Sequence, residues 1–419
     1  MVALRNQILP VRTQAEVVNR ILRKRLDTIL PMVMRETGID MWLIICQEDN
    51  LDPVFQSMMP MDTWTPILQM LVFFDRGDQG IERINLSRTG THDLYDRPYT
   101  VQLPEHQWGW LKDVIVARDP KRIGINQGNV IWAADGLTAT LKERLIETLP
   151  APYAERLCSA EDLCRRWLET LTEDEIELYS YVVSVAHDIH KEILSRAYIT
   201  PGVTTIEDLK WAYWQLCVDL GLELNVPFAM FDVVRQSALR EKYGKMDRVI
   251  RYGDFIHCDI GIKHMRLYTD HHIWGYVLPD GADGVPASFH KLMRDCNLLE
   301  DIYLAEFRQG RTGNEILKSS LSRARAAGLM NPRIYSHSCG LLIHEPGPLI
   351  GHPFEQEHWA GRGDVELNYN SSFVAEVSVD GVIPEWDNQV VRFPLEEQVI
   401  FTHAGVRYID GRQTAFYLI

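Results

Sequence analysis

A two-domain α/β chain is predicted by three observations. Short apolar runs alternate with polar and helical stretches through the first 160 residues, a helix–break–helix stretch follows, and a helix–strand unit then occurs twice. An N-terminal α/β domain is placed at 1–160. An α+β domain with an internal pseudo-twofold repeat is placed at 161–419. A length of 419 residues suits two domains.

In chain order, residues 15–38 carry apolar positions at helical spacing and stop at Gly38. Pro31 is expected to kink or split this helix. The runs MWLIIC (41–46), ILQMLVFF (67–74) and KRIGIN (121–126) read as strands. No His, Asp or Glu cluster at ligand spacing occurs here, which leaves this domain a structural or substrate-restricting role. Residues 159–198 read as two helices, with Thr172-Glu173-Asp174-Glu175 capping the second. Next come Gly202-Val-Thr204-Thr-Ile-Glu207-Asp-Leu209 and Gly310-Arg-Thr312-Gly-Asn-Glu315-Ile-Leu317, 108 residues apart with Gly, Thr, Glu and Leu at identical offsets. Each Thr-x-x-Glu is read as a capping box, and each helix runs to a glycine, Gly221 or Gly328. A duplicated unit with a site between its halves is the expectation.

Composition narrows the function. A net charge of −15 argues against a nucleic-acid partner. No apolar run reaches the length of a membrane span, and MVALRNQILPVRTQ lacks the basic-then-apolar pattern of an export signal, so a cytoplasmic protein is expected. Seven scattered cysteines without CxxC suit free thiols in a reducing compartment. Trp211 and Trp214 are expected in the core. His187 and His190 lie one helical turn apart in AHDIHKE, a spacing open to metal. With Asp188 and Glu192 beside them they read as a solvated helix face.

The chemistry gathers in the second domain. Asp259 and Asp270, eleven positions apart in HCDIGIKHMRLYTDHH, lie on opposite arms of a predicted hairpin that turns near Lys263–Arg266. His337 and His344 stand seven apart in YSHSCGLLIHEPG, Glu376 lies within FVAEVSV, and Glu396 in FPLEEQVIFTH. Four carboxylates buried together without counter-charge would protonate or break the fold. Bound dications resolve this, and an Asp/Glu/His set suits Mn²⁺, Co²⁺, Fe²⁺ or Zn²⁺.

This order of residues resembles the pita-bread metallopeptidases, which include Xaa-Pro aminopeptidases, prolidases and methionine aminopeptidases. GDFIHCDIG is similar to the strand bearing that family's first Asp, YTD to its second, HSCGLLIHEPG to its two-histidine segment, and EEQVIFTHAG to its last Glu segment. Residues 1–160 resemble the family's creatinase-type N-terminal domain. The resemblance implies two divalent ions, Mn²⁺ first, with Asp259 on one, His337 and Glu376 on the other, and Asp270 and Glu396 bridging. It implies that His344 meets the substrate carbonyl and that Glu376 accepts a proton from water. A short peptide substrate with proline after the scissile bond, and a homodimer, are implied with it. A non-catalytic peptide- or protein-binding member is the alternative.

The chain also departs from the pattern. His272 stands where the family has Thr, Lys242 where it has a proton-handling His, and Arg333 where it has a His four before the metal His. The Arg two before the last Glu is absent, and Arg392, four before, is expected to reach the same place.

Overall fold

The computed structural model describes residues 2–100, 103–223, 229–344 and 346–419, with the side chains of residues 2 and 3 left aside. The chain forms two compact units, one of residues 10–174 and one of residues 1–9 with 175–419.

The first unit is a five-stranded sheet in the order Ile81–Asn85, Leu68–Asp75, Met41–Gln47, Ile123–Ile125, Leu157–Ser159. The first three strands pair antiparallel and the last two join in parallel. All three apolar runs read as strands in the sequence are in this sheet. The helix Val11–Thr37 runs through Pro31 without splitting and ends at Gly38, whose φ of 65° suits glycine. Proline costs a helix interior about 3 kcal/mol; burial of Leu26, Ile29, Leu30, Val33 and Met34 around it offsets that. The division at 174/175 falls later than the expected boundary near 160 because the helix Glu161–Glu169 is tied to the N-terminal helix. Arg25 is 2% exposed, donates to the carbonyls of Trp167 and Thr170, and stacks 4.4 Å over the Trp167 ring. Residues 1–9 belong with the second unit, where the Tyr181 hydroxyl donates to the Gln7 carbonyl at 2.9 Å.

The second unit holds a four-stranded sheet ordered Tyr417–Leu418, His271–Tyr276, Phe255–Ile260, Ala229–Val234. Two three-stranded sheets accompany it, Arg333–Ile334 with Val377–Ile383 and Gln389–Leu395, and Ser371–Val374 with Gln398–Thr402 and Gly405–Tyr408. An aromatic core joins the first to the second, with Phe255 stacked on Phe289 at 3.8 Å and Trp274 on Phe393 at 4.4 Å. No helix among the described residues is long and apolar enough to cross a membrane.

The repeat is physical, with one shift of register. Helices Ile206–Asp219 and Gly313–Ala326 are both 14 residues long. Both end in the same motif: Gly221 and Gly328 donate to the carbonyls of Val218 and Arg325, and Leu222 and Leu329 reach back to Cys217 and Ala324. Thr312 and Glu315 form the expected capping box. In the first copy the box is Thr205 with Asp208, one residue beyond the expected Thr204–Glu207 pair. The Thr204 hydroxyl is instead occupied in a turn, accepting the Thr200 backbone N–H at 2.9 Å. The helix buries Ile206, Leu209, Tyr213, Leu216 and Cys217, so Trp211, expected in the core, falls on the outer side and is 58% exposed.

Candidate metal centre

The expected hairpin exists, and its register builds the site. Strands Phe255–Ile260 and His271–Tyr276 pair antiparallel with Asp259 opposite His272. Between them a smaller hairpin pairs Lys263 with Tyr268 and His264 with Leu267, turning at Met265 and Arg266, both at positive φ. Gly261 is required behind the site, because a Cβ there would lie 1.8 Å from the Thr269 carbonyl oxygen.

The two glutamates sit where the chain passes between the three-stranded sheets. Glu376 lies between strands Ser371–Val374 and Val377–Ile383, and Glu396 between Gln389–Leu395 and Gln398–Thr402. At these interruptions the backbone leaves one ladder for another, which frees the side chains to converge. The Ala375 N–H donates to the Glu397 carbonyl at 2.8 Å, and His272 bridges to Glu396, locking the crossings together. Tyr335 and Val374 backbone bonds to Glu376 and His337 draw the His337 loop alongside.

The result is a buried cluster of acids and imidazoles. Asp259, His272 and Glu396 have ligand atoms within 4.8 Å of one another, as do His337, Glu376 and Glu396, and likewise Asp270, His337 and His344. His337 Nε2 lies 3.7 Å from Glu396 Oε1 and 4.0 Å from Asp270 Oδ2. Its Nδ1–H donates to the Ser338 carbonyl at 3.2 Å, which aims Nε2 at the carboxylates. His344 has a 43% exposed side chain and stands at the rim, Nε2 3.7 Å from Asp270 Oδ2; Arg362 pins its carbonyl at 2.6 Å.

Four departures noted in the sequence have definite positions. His272 is inside the cluster, Nε2 3.2 Å from Asp259, 3.4 Å from Glu396 and 3.9 Å from Glu376. Arg333 and Arg392 line a cavity of about 230 Å³ with Glu376 and Tyr335, and Arg392 is held by Asp380 at 2.5 Å and Ser378 at 3.0 Å. Lys242, expected as a catalytic group, is exposed near the end of the short helix Ser237–Tyr243, with its ammonium 5.2 Å from the ring centroid of the adjacent Tyr243.

Sequence reasoning also missed the support behind the cluster. Gln398 accepts the Asp270 backbone N–H at 3.4 Å and donates to Tyr179 Oη at 2.9 Å, while the Tyr179 hydroxyl donates to the Tyr268 carbonyl. Strand alternation from Glu396 was the available signal, since residues two apart share a face.

The residues present fit divalent ions. Asp270 Oδ1, both Glu396 carboxylate oxygens and His272 Nδ1 are buried with no hydrogen-bond partner among the described residues. Burial, then repulsion from Asp259, pushes the Asp270 carboxyl well above the usual carboxylate range. Burial and the neighbouring acids do the same to Glu376 and Glu396. A set of acids with open lone pairs and no protein cation is the donor chemistry of a dication site.

Comparison with known proteins agrees. The chain resembles, in structure, an X-Pro aminopeptidase from Thermotoga maritima MSB8, with a TM-score of 0.65 and 16% identity over 93% of this chain and 100% of that one. It resembles an Xaa-Pro dipeptidase from Bacillus anthracis, with a TM-score of 0.61 and 16% identity over 96% and 100%. A prolidase from Pyrococcus horikoshii OT3 matches with a TM-score of 0.59 and 14% identity over 93% and 99%. At such identities the likeness is one of fold, and the fold is the expected one: a creatinase-type α/β domain followed by a pita-bread domain. No curated protein matches the chain. Residues 179–409, more than half of the sequence and the whole span of the acid–imidazole cluster, match the sequence model of metallopeptidase family M24, and the chain belongs to that family.

Proposed function

We propose that the chain is a dinuclear metal-dependent peptidase that removes N-terminal residues from short peptides, an Xaa-Pro aminopeptidase or dipeptidase in type. The observation that carries the reading is the convergence of Asp259, Asp270, His337, Glu376 and Glu396 in a buried cluster where Asp270 Oδ1 and both Glu396 oxygens have no hydrogen-bond partner among the described residues. Asp259, Asp270, His337, Glu376 and Glu396 would hold the ions. His272 adds a nitrogen donor. The oxygen-rich set favours manganese. When bound, the ions supply a Lewis acid for the scissile carbonyl and acidify water at neutral pH.

The chain's own groups do the rest. Glu376, which borders the cavity, takes the proton from the attacking water and delivers it to the leaving amine. His344, half exposed at the rim, donates from Nε2 to the carbonyl oxygen as charge develops there. Arg392, fixed by Asp380 and Ser378, and Arg333 present positive charge on the cavity wall for the far end of a short peptide. A cytoplasmic homodimer completes the reading.

A second reading, a peptide-binding member without catalysis, draws on Lys242, which stands where the family has a proton-handling histidine. One experiment separates the two. Chelator-stripped protein is assayed on Xaa-Pro dipeptides and longer peptides, then reloaded with Mn²⁺ or Co²⁺. Recovery of hydrolysis supports the peptidase; inactivity with every metal and every peptide removes it.

A further inference from the structure

On the opposite side of the same strand crossing lies a second cluster. Residues one apart on a strand face opposite ways, so His271 and Glu397 point away from the cluster that takes Asp270, His272 and Glu396. There they meet the helix Glu173–Ile193, which presents His187 and His190 one turn apart. These two were expected on a solvated helix face. Instead His190 and His271 are 0% exposed, and the His187 side chain is 14% exposed.

We infer that His187, His271 and Glu397 form a second metal site, separate from the carboxylate cluster, that takes a zinc-like ion. His187 Nε2 lies 3.2 Å from Glu397 Oε2, and His271 Nε2 lies 3.8 Å from the same oxygen. The three ligand atoms are all within 4.8 Å of one another. Zinc bonds of about 2.0–2.1 Å in a tetrahedron put neighbouring ligands roughly 3.3 Å apart. The second separation is too long for a hydrogen bond yet close to that edge.

The surroundings point the same way. His187 Nδ1 is 2.9 Å from Asp410 Oδ2, the carboxylate–histidine pairing that fixes a metal-binding imidazole with Nε2 facing inward. Glu397 Oε1 accepts the Gln413 backbone N–H at 2.8 Å, which leaves Oε2 for the site. A protonated His187 bridging Glu397 and Asp410 accounts for those two contacts. It does not account for His190 and His271, whose four ring nitrogens are all buried without a hydrogen-bond partner among the described residues. His190 stands edge-on to His271, ring centroids 4.9 Å apart, and walls the site. Two imidazoles and one carboxylate favour zinc, copper or nickel, whereas the acid-rich cluster across the strands favours manganese. This inference does not depend on the peptidase reading.

The test is an anomalous-difference map at the zinc edge from crystals of the full chain loaded with Zn²⁺. A peak is expected bonded to His187 Nε2, His271 Nε2 and Glu397 Oε2, whatever occupies the carboxylate cluster. Peaks at the carboxylates alone, or no peak at all, overturn the proposal. In solution, zinc counted by atomic emission after gel filtration should fall by one ion per chain in His187→Ala, and an unchanged count overturns it too. Should that variant not fold, the map of the unsubstituted protein decides.

Discussion

The strand Phe255–Ile260 carries a buried acid at each end, and the two are treated in opposite ways. Asp254, 0% exposed, just precedes it and receives Arg235 through two bonds of 2.7 and 2.6 Å, with the Arg251 backbone N–H at 2.7 Å. Its charge is answered inside the protein. Asp259, five residues on and 7% exposed, shares its neighbourhood with Asp270, Glu376 and Glu396, and no arginine or lysine is paired with any of the four among the described residues. A fold able to place an arginine beside one acid places none beside the other. The difference marks Asp254 as structural and the Asp259 cluster as a receptacle for cations from outside the chain.

The comparison breaks most directly by removing one acid from each end. Asp254→Ala takes the two-bond partner from the buried Arg235 guanidinium, leaving it Asp247 as its remaining carboxylate partner among the described residues, and is expected to cost about 3 kcal/mol in urea unfolding. Asp259→Ala, in chelator-stripped protein, relieves repulsion and should leave stability unchanged or raise it. Equal losses in the two variants would end the distinction. At the rim, His344→Ala should lower kcat by roughly 10²–10³-fold with metal content unchanged, as expected for loss of one donor to a developing oxyanion. A purely structural histidine would leave kcat intact.

Protonation sharpens the contrast between acids answered by arginine and acids answered by neutral donors. Hydrogen bonding from Arg251, reinforced by Arg235 against the opposing effect of burial, holds Asp247 down at about 2. Its folded value lies below its unfolded value, so its contribution is present above about pH 4 and is lost as pH falls toward 2. Among the described residues Asp52, in the first unit, has only Asn126 at 2.8 Å and two backbone N–H groups as partners, and burial pushes it up to about 6. Its contribution is full below about pH 4 and is lost as pH rises through 6. Denaturant unfolding across this range should show the acid-side loss flattened in Asp247→Asn; a variant that keeps the loss would remove the arginine account. The smallest effect is expected from His272→Thr, which should weaken manganese binding by calorimetry about 10-fold, at the low end for groups that support a metal site.

By itself the sequence determined the kinds of residue and their order. The strands around Asp259 and His272, the hairpin turn, the 14-residue repeat helices with their terminal glycines, and the acids and imidazoles that converge were all legible, because local propensity and spacing carry them. Tertiary structure decided the rest. Whether Glu396 or Glu397 faces the acids depends on ladder register, and register needs a partner strand: His272 supplies it. Whether His187 and His190 meet solvent or Glu397 depends on what packs against their helix. The continuation through Pro31 and the inclusion of residues 161–169 in the first unit likewise rest on burial against distant residues such as Arg25 and Trp167. A helix face or strand edge is written in the chain, but its environment belongs to the neighbours that folding brings to it.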